Sequence, residues 1–313
     1  MRNVLLLVVI TCCLSEVHSQ KNFRIGQPFL FSGLTNPAAL AIEAPVSLGI
    51  VHREQWLGID GSPGSSGLHS SFELNQDMAV GLAITNDRIG VERRTMVQFN
   101  YAYKIVLSRS DYISLGVGIG MENMSLNYRE VSTSSPLDPV FSTSFSGTQW
   151  NASAGIYGKV RDWYFGWSIP EIRVLHPYSF SSGYLPNRWH FYGIMGYQHQ
   201  WQKRYILEPV VMINAIWNAP VHAELIIRGG WKYFAFQGGF SLDNTLLTGV
   251  DFTINEVFRT AYQLSFPFGG NQLAQAKGLS HEIMLFLGLP SLEAKEDFSK
   301  RKHLNRYNKW KRH

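Results

Sequence analysis

The chain has 313 residues, of which 45% are hydrophobic, 13% aromatic and only 16% charged. An average soluble domain is about 25% charged, yet no internal apolar run reaches the 18 or so residues that a membrane-spanning helix needs. These numbers exclude a helical membrane protein and leave two all-β classes, a membrane β-barrel and a soluble sandwich.

In chain order, Arg2, the apolar run from Val4 to Ile10 and the small-residue site at Val17 to Ser19 read as a secretory signal over residues 1–19. Cys12 and Cys13, the only cysteines, lie inside it. Once it is cleaved, no disulfide or thiolate metal site is possible. Residues 20–45 then form an N-terminal segment long enough to plug a barrel.

From residue 46 to 289 the chain alternates aromatic and β-branched segments with turn formers. Fourteen candidate strands fall at about 46–57, 65–74, 78–86, 95–107, 112–125, 148–158, 163–171, 190–200, 204–214, 219–228, 231–240, 245–254, 257–267 and 280–289. Several alternate strictly. Phe99, Tyr101, Tyr103, Ile105 and Leu107 share one face, opposite Asn100, Ala102 and Lys104. Phe258, Thr260, Tyr262, Leu264 and Phe266 share another, opposite Arg259, Ala261, Gln263 and Ser265. Period-2 alternation over about ten residues is the mark of a transmembrane β-strand.

Loop lengths decide between the two classes. Every second connection is short, as at Asn75–Asp77, Ser108–Ser110, Lys159–Asp162 and Gln202–Arg204. The long connections, roughly 126–147, 172–189 and 268–279, all fall on the opposite side. A sandwich has no reason to sort loops by parity. An outer-membrane barrel of even strand number, with short periplasmic turns, requires it. The tryptophans fall near strand ends, where amphipathic rings favour membrane interfaces.

The tail stands apart. Residues 295–313 hold 8 Lys/Arg and 2 Asp/Glu, leaving the other 294 residues at −1 of the total +5. Residues 290–313 are expected in the periplasm, with Lys300, Arg301, Lys302, Arg306, Lys309, Trp310, Lys311 and Arg312 as candidate contacts to an acidic surface.

Catalytic signatures are sparse. His69 and Ser71 share a strand face, which admits a barrel-lipase reading, but a polar lumen pair is the simpler one. No GxSxG elbow or HExxH motif is present, and the other histidines show no metal-ligand spacing. No cofactor is expected.

The stretch from His52 to Phe72, "HREQWLGIDGSPGSSGLHSSF", carries the most specific pattern. Asp60-Gly61 and Pro63-Gly64 make a turn. In an extended strand Arg53, Gln55 and Leu57 would face one way and Glu54 and Trp56 the other, with Trp56 at the outer interface. Arg53, Gln55, Trp56, Gly58, Ile59, Asp60, Gly61 and Pro63 resemble the first hairpin of the PorP/SprF family of type IX secretion outer-membrane proteins. "NPAAL" at Asn36, "VGLAITNDRIG" at Val80 and "GLSHEIMLFLG" at Gly278 fit as well.

The resemblance implies an outer-membrane protein without enzymatic activity, working in protein secretion, surface anchoring of adhesins and gliding in Bacteroidetes-type bacteria. Its implied partners are outer-membrane lipid, the periplasmic secretion machinery and a secreted surface protein, not nucleic acid. Arg53, Gln55, Trp56 and Asp60 are candidate outer contacts. Lys159, Arg161, Lys203 and Arg204 are candidate periplasmic ones. A porin or small-solute channel is the alternative reading.

Overall fold

A computed structural model describes residues 25–40, 42, 44–108, 110–128, 144–173, 189–202, 204–217, 219–254, 257–269 and 278–289. Fifteen strand elements are present: β1 Val46–Glu54, β2 Gly64–Glu73, β3 Met78–Ile89, β4 Glu92–Val106, β5 Tyr112–Asn127, β6 Ser144–Val160, β7 Trp163–Arg173, β8 His190–Tyr197, β9 His199–Trp201, β10 Tyr205–Ile216, β11 His222–Trp231, β12 Phe234–Ser241, β13 Thr245–Ile254, β14 Phe258–Pro267 and β15 Ser280–Leu289. Apart from β8 and β9, each strand pairs antiparallel with its sequence neighbours, and β1 pairs with β15 from Val46↔Leu289 to Glu54↔His281, which closes the sheet.

β8 and β9 are one strand of the wall. Both pair with β10 in a single register, Val210↔Gly196 on one side and Leu207↔His199 on the other. The interruption, at Gln198, lies opposite Glu208 and beside Pro209, which has no N–H to give the ladder. The barrel therefore has fourteen walls, all antiparallel. No described helix is long and apolar enough to cross a membrane; this chain crosses with strands.

Alternation sorts the side chains. On β4, Phe99, Tyr101, Tyr103 and Ile105 point outward and are exposed, while Gln98, Asn100 and Ala102 point inward and are buried. On β1, Leu48 and Ile50 face out, and Ser47, Val51 and Arg53 face in. An apolar belt outside and a polar wall inside is the reverse of a soluble protein and suits a bilayer.

Several expected boundaries move. β3 and β4 run on to Ile89 and from Glu92, so the 87–94 connection shrinks to Gly90 and Val91. β11 continues through Gly229-Gly230 to Trp231, and the turn falls on Lys232-Tyr233. The expected first strand ends at Glu54 rather than 57. Trp56 then sits in a left-handed turn with φ 52, so the alternation read across Gln55, Trp56 and Leu57 does not exist. β7 carries a bulge where Ser153 of β6 faces both Pro170 and Glu171.

One end of the barrel carries the short turns 74–77, 107–111, 161–162, 202–204 and 232–233. The other carries 55–63 and the three long connections expected there, alongside the short links 90–91 and 242–244.

Candidate functional site: an occupied lumen and its two rims

Residues 25–40 lie inside the barrel and are almost all buried. Short 3-10 turns at Pro28–Leu30 and Ser32–Leu34 fold the segment on itself. It enters beside Arg53 and Glu282, where the Gly26 N–H donates to Glu282 Oε2 at 2.6 Å. It leaves beside Ala79 and Ala102, which pack on Leu40.

The wall is cut to receive this segment. A Cβ added to Gly49 would overlap the Phe31 ring, and one added to Gly116 would overlap the Ala38 nitrogen. A Cβ on Gly155 would collide with Asn36 Oδ1. Asn36 Nδ2 donates to the Ile156 carbonyl at 3.0 Å, and its Oδ1 accepts from the Ala38 N–H at 2.9 Å. Ser168 Oγ donates to the Thr35 carbonyl at 2.8 Å. Glycine is needed at Gly116 because the segment's backbone passes there, and at Gly49 and Gly155 because the Phe31 ring and the Asn36 side chain fill the space a Cβ would take. Asn36 and Ala38 belong to the "NPAAL" stretch that sequence reading singled out without assigning a contact.

The remaining inner wall is polar and paired. Arg228 donates through Nε and Nη2 to both oxygens of Asp251, at 2.8 and 2.7 Å, and through Nη1 to Glu208 at 2.8 Å. Tyr164 OH donates to the other Glu208 oxygen at 3.0 Å. Arg94 stands among Glu122 at 3.3 Å, Glu92 at 3.5 Å and Glu171 at 3.7 Å. Arg259 lies over the Phe286 ring, 5.7 Å from its centroid. Buried ions are tolerated only when paired, and alternation alone could not tell which strands would supply each partner.

The expected outer contacts separate. Arg53 faces the lumen, 4% exposed, with Nη1 3.3 Å from Glu282 Oε2. It meets no outside surface. Trp56 N–H donates to Ser280 Oγ at 3.2 Å, and Gln55 N–H to the Pro63 carbonyl at 2.9 Å, and both residues are half-buried on the outer loop. Asp60 is exposed at the tip, with Leu57 59% exposed beside it. At the other end Lys159 lies on the inner face of β6, half-buried, whereas Arg161 and Arg204 are exposed in turns. Lys203 and the tail cations lie outside the described residues.

The lipase pair is not assembled. Neither ring nitrogen of His69 has a hydrogen-bond partner, and Ser71 Oγ lies 2.7 Å from Ser47 Oγ. His69 instead borders a cavity of about 60 Å³ under Phe29 and Phe31. A cluster that sequence reading missed gathers at the outer rim. His222 Nε2 lies 2.8 Å from Glu224, its Nδ1 lies 3.5 Å from Asp243, and Ser241 Oγ lies 3.2 Å from Nε2. Glu224 already occupies the nitrogen a base would use, and Ser241 is 2% exposed, so the hydroxyl is not presented to a substrate. Among the described residues no group of three or more His, Cys, Asp or Glu could hold a metal ion.

A closed antiparallel barrel with a lipid belt outside and a polar interior is an outer-membrane protein. Residues 17–287 match the model of the type IX secretion system membrane protein PorP/SprF, and the chain belongs to that family. No curated protein matches the sequence. Among solved structures it is similar to the CymD monoaromatic hydrocarbon channel, with 11% identity, TM-score 0.49, and coverage of 86% of this chain and 94% of that one. It is also similar to the toluene transporter TbuX of Ralstonia pickettii, at 11% identity, TM-score 0.46 and coverage of 87% and 96%. A third is Omp33 of Acinetobacter baumannii, at 4%, 0.45, and 78% and 98%.

Proposed function

We propose that this barrel is a non-enzymatic component of type IX secretion that supports export or surface anchoring of secreted proteins, adhesins among them, through contacts at its two rims. Family membership supplies the setting. The observation that carries the mode of action is the fitted segment inside the lumen, whose backbone fills the space beside Gly116 and whose Asn36 side chain fills the space beside Gly155. A wall moulded to its own N-terminal segment suits a plugged scaffold better than a diffusion pore. The outer loop at Leu57 and Asp60 then offers a surface to the secreted partner. The periplasmic end, with the basic tail from Lys300 to Arg312, faces the machinery.

The test is the secreted and surface proteome of a strain lacking the gene, against its parent. Broad loss makes the barrel a core part of the machine. Loss of one or a few surface proteins makes it a dedicated partner, and gliding follows if these are adhesins. An unchanged proteome overturns the proposal and leaves the channel reading. Reversing Lys300, Arg301, Lys302 and Arg306 to glutamate separates the docking half, since recovery with periplasmic components should then fall.

A further inference from the structure

The short-turn rim differs around its circumference. Between β7 and β11 its outward residues are Trp163, Tyr197, His199, Trp201, Tyr205 and Trp231. Five of these rings form a continuous row. Trp163 and Tyr197 have centroids 4.9 Å apart, Tyr197 and His199 6.1 Å, His199 and Trp201 5.7 Å, and Trp201 and Tyr205 5.5 Å. Trp231 is the cross-strand partner of Tyr205. The same end of the opposite arc exposes Ile254, Leu289, Leu74 and Val106, with Phe72 and Tyr103 as isolated rings rather than a continuous row.

Three exposed cations stand in the turns that border this row, Arg161, Arg204 and Lys232. The turns are tied together. Gln198 N–H donates to the Asp162 carbonyl at 2.7 Å, and Lys232 N–H to the Arg204 carbonyl at 2.6 Å. Arg161 and Lys232 hold left-handed backbones, φ 57 and 58, where glycine or asparagine would cost less. Lys232 Nζ lies over the Tyr233 ring, 4.6 Å from its centroid. No ion pair is formed by Arg204 or Lys232 among the described residues, while Arg161 shares its turn with the Asp111 carboxylate, to which its own N–H donates at 2.8 Å.

We propose that this arc binds an anionic phospholipid of the periplasmic leaflet, its phosphate held by Arg161, Arg204 and Lys232 and its acyl chains laid along the row from Trp163 to Tyr205. The occupant must carry an apolar body and an anionic head at one height. The ring row lies on the face that the fold gives to the bilayer, so a soluble acidic protein could supply only the head. Exposed cations in excess of their acidic neighbours beside the membrane attract anionic headgroups and repel the ammonium of zwitterionic ones. The inference requires the barrel's membrane setting and not its role in secretion, so either can fail alone.

The purified full chain in detergent, offered equal phosphatidylglycerol and phosphatidylcholine of identical chains, tests it by native mass spectrometry. The intact protein should retain phosphatidylglycerol preferentially. Arg161→Gln, Arg204→Gln and Lys232→Gln should each lower that retention about fivefold and leave phosphatidylcholine unchanged. Arg204→Lys should keep most of it. Trp201→Ala should lower retention, whereas Trp217→Ala at the opposite rim should not. Heat-modifiable migration verifies that each variant is folded. Equal retention of the two lipids overturns the proposal, as does displacement by free glycerol phosphate. So does loss of periplasmic co-purification in these variants with lipid retention unchanged, which would assign the cations to an acidic protein.

Discussion

The two faces of this wall use glycine for opposite ends. Inward, a Cβ on Gly49, Gly116 or Gly155 would strike the N-terminal segment. Outward, Gly229 and Gly238 have nothing within 4 Å of the same added atom. One residue type thus marks a mould on the inside and open lipid on the outside of a single sheet. The inner face is fitted to a single occupant. The outer face needs only to be apolar and to end in rings.

The sharpest way to break this comparison is Gly116→Val set beside Gly229→Val. The first side chain meets the backbone of Pro37 and Ala38, which no rotamer can relieve. The segment should be displaced, and single-channel recordings should pass from closed to steady conductance. Gly229→Val should record like the parent. Conductance in the parent itself, unchanged by Gly116→Val, would restore the porin reading.

A second effect is smaller and spread over the whole barrel. Arg228→Gln strands Glu208 and Asp251, which are 5% and 1% exposed. Removing one partner from a buried ion cluster costs about 3–5 kcal/mol. The urea midpoint should fall while the lumen stays closed, because among the described residues none of these three hydrogen-bonds to the N-terminal segment. A midpoint equal to the parent's would mean that water, and not arginine, balances the two carboxylates.

The smallest expected effect lies at the rim. Asp111 accepts the Arg161 N–H at 2.8 Å and a hydrogen bond from Ser110 Oγ at 3.0 Å. The Arg161 amide first, then the hydroxyls of Ser108 and Ser110, hold its carboxyl below the ordinary carboxylate range. A depressed carboxyl stabilises the fold above its unfolded pKa and loses that contribution as pH falls through its folded value. Exchange of the Arg161 amide should therefore quicken only below the ordinary carboxylate range. Asp111→Asn should abolish the pH dependence, and a dependence that survives this substitution would place its origin elsewhere.

The wall was largely legible from sequence because lipid imposes a pattern. Phe99, Tyr101, Tyr103 and Ile105 alternate with inward residues, and water at one end shortens every second turn. Legibility stopped where the bilayer stops acting. β3 runs past Asn86 through Asp87 and Arg88 to Ile89, where two charged residues in a row hide the strand from an alternation reading. The β11–β12 turn was misplaced because Gly229-Gly230 looks like a turn, while Lys232 adopts the left-handed geometry instead. Trp56 likewise hides a turn behind a residue that suggests an interface. The occupied lumen was visible only as a length of chain, since residues 25–40 follow the shape of the cavity and no period of their own. The pairing of Arg53 with Glu282, 229 positions away, has no local signal at all.

Phe31 gives the interior a history. Its ring abuts Gly49 on β1 and lies edge-on to Phe286 on β15, 6.2 Å between centroids, so it spans the inner side of the one junction where the first strand meets the last. The segment that carries it is made before any wall exists, and the junction it lines is the last that synthesis allows to form. With Phe31 lining it from within, the seam between first and last strands gains its inner contacts only when residues 25–40 are in place.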